Sequence, residues 1–114
     1  MTIQPPKAGR QSSIESVLLQ LPGVSAKEIG GLRAYLVNDM MFACISGDGV
    51  GIRVPAATAN ELLFSRGDVF AFTPRGMASS REWVQINRAD ASEYVEDVEL
   101  FRTSMEYVKG TRPR

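Results

Sequence analysis

The chain has 114 residues, 13 Lys+Arg against 13 Asp+Glu, one cysteine and no histidine. That length makes one domain the prior and is enough to bury a core without disulfides or a structural metal. A formal charge of zero removes the electrostatic footprint of a general nucleic-acid binder, the lone Cys44 excludes an internal disulfide, and the lack of histidine excludes a Cys/His zinc site.

Residues 1–10 hold two prolines, a glycine and few apolar groups, and read as a flexible N-terminal arm. They carry no apolar stretch of a secretory signal, and no run reaches the roughly 18 apolar residues of a membrane helix. With one cysteine, the expectation is a reduced, cytoplasmic protein without a membrane partner.

A single domain is expected over 11–109. A first helix fits 13–21: Ser12 and Glu15 have capping-box spacing, Ile14, Val17, Leu18 and Leu21 recur at helical period, and Pro22-Gly23 ends it. Leu32–Val37 reads as a strand, and Asn38-Asp39 as a two-residue turn weaker than Asn-Gly. Met40–Ile45 is apolar on both alternating faces, with Met41, Ala43 and Ile45 on one and Phe42 and Cys44 on the other, as in a strand buried on both sides. Gly47-Asp48-Gly49 marks a second hairpin turn, after which Val50, Ile52 and Val54 alternate with Gly51 and Arg53.

Pro55 suits the first position of a second helix, with Ala56, Ala59, Leu62 and Leu63 as its apolar stripe and Gly67 as its cap. Val69–Thr73 and Trp83–Asn87 read as two more strands, joined by a loop over 74–80. A last helix fits 91–109, capped by Asp90 and Glu93, with Ala91, Tyr94, Val98, Phe101, Met105 and Val108 on one face. Residues 110–114 form a C-terminal tail begun by Gly110. The order α-β(3)-α-β(2)-α, dominated by hairpins, predicts an α+β fold with a largely antiparallel five-stranded sheet packed with helices.

Several short stretches occur together in a familiar order. They are Gly31, the Asn38-Asp39 turn, Met41-Phe42, Ile52-Arg53-Val54 followed by Pro55, Phe72-Thr73-Pro74-Arg75-Gly76-Met77, and Trp83. In these the chain resembles the TfoX N-terminal domain family, small proteins grouped with the MmcQ/YjbR-like "DNA-binding" domains, over about residues 13–109. It departs from the pattern at Gly30, where Phe is usual, at Arg33-Ala34, and after Gly76, where a proline is missing. The resemblance implies a secretion-chaperone-like topology. It implies a regulatory role only by way of longer competence regulators that carry a second domain.

Catalytic chemistry finds little support. Cys44 has no histidine to serve as base and lies in Phe42-Ala43-Cys44-Ile45, as a buried small hydrophobe would. Ser79-Ser80 lacks a nucleophile-elbow context, and Gly47-Asp48-Gly49 is a turn rather than a phosphate loop. Glu93, Glu96, Asp97 and Glu99 read as the solvated face of the last helix. No catalytic residue, metal site or cofactor is assigned. The candidate interaction surface is Arg53, Arg75, Met77, Arg81 and Trp83, where planar guanidinium forks and an aromatic ring would meet an acidic or anionic partner. The expected function is a non-enzymatic regulatory or protein-interaction module. Nucleic-acid association, small-ligand or enzymatic chemistry, and homodimerisation stay open as alternatives.

Overall fold

The computed structural model describes residues 6–47, 49–73 and 81–110, with side chains from Gln11 onward. In chain order the elements are α1 (Pro6–Leu18), β1 (Val24–Ile29), β2 (Leu32–Val37), β3 (Met40–Ser46), β4 (Gly49–Arg53), α2 (Ala56–Ser65), β5 (Val69–Ala71), β6 (Trp83–Ile86), a 3₁₀ helix (Ala91–Asp97) and α3 (Val98–Gly110). The class is α+β. All six strands join one antiparallel sheet in the order β1-β2-β3-β4-β6-β5.

The expected five strands become six because Val24–Ile29 is an edge strand. Only Val24 and Ala26 pack against the core, and Lys27 and Glu28 are exposed, so its apolar alternation is faint. The turn that joins it to β2 is Gly30-Gly31, at φ 57° and 85°. Two consecutive left-handed residues suit a tight hairpin between twisted strands, and glycine adopts them without steric cost.

Cross-strand register defines the two faces of the sheet. Ala26, Tyr35, Ala43, Ile52, Val84 and Ala71 form a row on one face. Lys27, Ala34, Cys44, Gly51, Gln85 and Phe70 form the neighbouring row on the other. The helices cover the first face. Ile14, Val17, Leu18 and Leu21 from the α1 region, Ala59 of α2, Tyr94, and Phe101, Met105 and Val108 of α3 share one core with Tyr35, Val50, Ile52 and Ile86. Each Val, Leu, Ile, Phe or Met side chain among them contributes about 1.5–3 kcal/mol on burial.

Strict alternation fails in β3. The register shifts between Tyr35 and Leu36, so Phe42 is an extra residue, a β-bulge. Phe42 and Ala43 consequently both enter the helix-side core, whereas alternation had placed them on opposite faces. The Ser104 hydroxyl of α3 reaches the Phe42 carbonyl at the bulge (3.1 Å) and the Arg53 carbonyl, binding α3 to β3 and β4.

Other boundaries also differ. Pro6–Arg10 are helical, so α1 begins before the expected capping box and inside the expected arm, whose residues 1–5 lie outside the described residues. Pro55 precedes α2 at ψ 147° rather than opening it, and the helix ends on an extended Arg66 rather than a glycine cap. The last helix is two: a 3₁₀ helix and then α3, which includes Gly110. Residues 111–114 of the expected tail lie outside the described residues.

Candidate functional site

β5 stops at Ala71, and Phe72 then lies across the face of the sheet that no helix covers among the described residues. Its ring occupies the space a Cβ on Gly51 would need, so the glycine in β4 is what lets the aromatic lie flat on the strand. Phe72 also meets Trp83 edge to face, with ring centroids 6.0 Å apart and an interplanar angle of 71°. Beside Phe72 is a cleft of about 320 Å³ lined by Gly31, Leu32, Ile45, Ser46, Gly47 and Thr73 as well. A second, apolar hollow next to it is walled by Ile29, Gly30, Leu32 and Met41. Leu32 therefore stands between the two.

Of the five residues proposed from sequence, the three that are described differ in their surroundings. Trp83 is 2% exposed: β6 lies inside the sheet, between β4 and β5, and Phe72 covers the ring, so it supports the surface instead of contacting a partner. Arg53 is bound within the molecule. It donates to Glu82 through Nε (2.9 Å), completes the pair through Nη2 (2.8 Å), and lies 5.7 Å over the Tyr107 ring. Arg81 is exposed just before β6. Arg75 and Met77, with the rest of the 74–80 loop, lie outside the described residues.

Three polar clusters hold the elements together. In the first, Glu15 of α1 accepts from Tyr35 (2.8 Å) and Arg33 (2.9 Å) of β2. Burial works against its charge, but these two hydrogen bonds outweigh it and hold the carboxyl below its ordinary range. In the second, Glu82 is shared by Arg53 and the Tyr107 hydroxyl (2.8 Å). Burial again raises its pKa and the two bonds more than offset that.

The third is the largest, and the sequence reading missed it. Asp97, 4% exposed, accepts from Arg88 Nε (2.9 Å), Arg88 Nη2 (2.8 Å) and Arg66 Nη1 (2.9 Å). Arg66 also forks onto Asp68 (2.9 and 2.8 Å), which lowers the Asp68 pKa. Asp97 was expected on a wet face. In a 3₁₀ helix, residues three apart eclipse, so Asp97 shares the buried side of Tyr94.

Among the described residues no group of three His, Cys, Asp or Glu side chains is placed to hold a metal ion. Cys44 is buried, and burial pushes its thiol up to about 11, away from nucleophilic chemistry at neutral pH. Among the described residues no helix is long and apolar enough to cross a membrane. No family model matches the chain, and no curated protein or solved structure matches it either.

Proposed function

We propose that the chain forms a domain of the TfoX N-terminal type that works without catalysis, as an interaction module binding a protein partner through the face of its sheet opposite the helices. The observation that carries this reading is the cleft beside Phe72. Its walls are apolar side chains and the backbone of exposed Gly31 and Gly47, with the hydroxyls of Ser46 and Thr73 at hand. Such a lining takes an aliphatic side chain of an extended segment and offers hydrogen bonds to its backbone.

The charged groups support the same reading. Arg33, Arg53, Arg66, Arg88 and Arg102 each pair with a carboxylate, which leaves them poor phosphate ligands. From β2 onward the helices and strands follow the order expected of a secretion-chaperone-like domain, with β1 as an addition at the edge. A reducing, cytoplasmic setting suits the single thiol. Arg81, exposed just before β6, offers a guanidinium to the rim of the proposed surface.

The test is recovery of tagged protein from its own cells, with variants. A specific partner is expected with wild type and with Glu96→Ala, and is expected to be lost with Leu32→Glu. The double change Arg75→Ala and Arg81→Ala should weaken the same partner at least about tenfold, or 1.4 kcal/mol. Equal recovery by wild type and Leu32→Glu contradicts the assignment.

A further inference from the structure

We propose that β5 is the contact edge of a homodimer, pairing antiparallel with β5 of a second copy about a two-fold axis at Phe70. This edge is separate from the cleft assigned to a protein partner. Backbone geometry prepares it. The Asn87 N–H donates to the Asp68 carbonyl (2.8 Å), and the register continues through Val69–Ile86, Phe70–Gln85 and Ala71–Val84. Hydrogen-bonded and non-hydrogen-bonded pairs alternate in an antiparallel ladder. Phe70 therefore bonds inward to β6, while the N–H and C=O groups of Val69 and Ala71 point outward. Among the described residues no strand pairs with that side.

The two edges of the sheet are unlike. β1 carries exposed Lys27 and Glu28, and charges of this kind block edge-to-edge pairing. Val69-Phe70-Ala71 carries none. Three residues of ladder hold no dimer alone, so side chains must supply the rest. Phe64 is 95% exposed, Phe70 50% and Leu63 38%. With about 150–250 Å² on each aromatic side chain, the three present on the order of 300–400 Å² per copy, near half of the roughly 800 Å² each partner gives to a standard interface.

Their placement fits a two-fold. α2 packs over β5 and β6. Ala59 and Leu62 turn to the core, and at about 100° per residue Leu63 falls on the flank of α2, while Phe64, nearly opposite Leu62, stands on its outer side. Adding a strand at about 4.8 Å brings the second copy's α2 to about 10 Å, a helix-packing distance. The same axis sets Val69 against the partner's Ala71 as a hydrogen-bonded pair. Phe70 then meets the partner's Phe70 as the closer, non-hydrogen-bonded kind, a cross-strand aromatic pair. A chain of zero net charge adds no long-range repulsion between copies.

Sedimentation equilibrium of the whole chain tests this. Wild type should show a dimer by about 100 µM, a weak affinity in keeping with an interface smaller than the standard size. Phe64→Glu, at an exposed position, and Ala71→Pro, which removes only an outward N–H, should each raise Kd at least about tenfold with unchanged circular dichroism. Ile29→Glu on β1 should leave the dimer intact. Wild type that stays monomeric to about 1 mM overturns the proposal. So does a dimer indifferent to Phe64→Glu, or one lost to Ile29→Glu instead.

Discussion

Asp97 shows how one residue joins elements distant in sequence. Its two arginine partners lie 9 and 31 positions away, on the segment after β6 and the end of α2. Removing one member of a buried pair strands the others, at a cost of about 3 kcal/mol or more. Asp97→Ala should therefore lower the urea midpoint sharply, while Glu96→Ala, one position earlier and exposed, should change stability by less than about 0.5 kcal/mol. Equal effects would return Asp97 to the wet face. The sequence could not show this pairing, because acids in a helical-looking run reveal their partners only once 3₁₀ winding is known.

The carboxylates also set an acid limit. Glu15, Glu82 and Asp68 titrate below their ordinary values of 4.5, 4.5 and 3.8 in the folded chain. Depressed folded values mean the folded state holds its charges longer than the unfolded chain. Their contribution is complete above about pH 5 and is lost as pH falls through the ordinary values toward the lower folded ones. Partial exposure keeps each contribution modest. Denaturation midpoints measured at pH 7 and pH 4 should fall on acidification, and Asp68→Asn should flatten that fall. A midpoint that rises on acidification contradicts the pairing scheme.

At the scale of elements, turns and bulges decide most of the outcome. Asn38 and Asp39 both adopt left-handed backbone, at φ 52° and 63°. Glycine takes that conformation without the Cβ clash, so Asp39→Gly should stabilise by up to about 1 kcal/mol. A drop in melting temperature would argue against this turn. The two glycines of β4 should behave differently. A Cβ at Gly49 meets the Ile86 backbone carbonyl and the Asn87 side chain, whereas one at Gly51 meets only the Phe72 ring. Gly49→Ala should be the more destabilising, and Gly51→Ala should instead displace Phe72 and alter the cleft.

Element legibility followed the strength of the apolar pattern. The period-2 run of β4 and the stripe Tyr94, Phe101, Met105, Val108 were readable because core packing imposes them. β1 was not, since an edge strand with charged residues buries too little to leave a period, although Gly30-Gly31 was a turn signal in plain view. The bulge at Phe42 was invisible because a strand apolar on both faces reads the same in either register. Phe42→Ala should still cost about 3–5 kcal/mol, for the ring is wholly buried.

Among the described residues, helices cover one face of the sheet and the Phe72 cleft opens on the other, with one charged edge and one apolar edge. The sequence reading placed the interaction surface on Arg53, Arg75, Met77, Arg81 and Trp83, of which Arg53, Arg81 and Trp83 are among the described residues. Arg53 and Trp83 are used internally, and the cleft beside Phe72 is lined by apolar side chains, two hydroxyls and glycine backbone. Exposed Phe64 and Phe70 drew no notice in the sequence, because nothing in the local pattern distinguishes an outward phenylalanine from a core one.

The most direct measurement of these surfaces at work is amide hydrogen exchange at Val69 and Ala71 as protein concentration rises. The outward amides of both residues should gain protection with concentration, while Phe70, bonded to β6, and the β1 amides should not change. Fast exchange at Val69 and Ala71 that is independent of concentration would contradict the working role given to this edge.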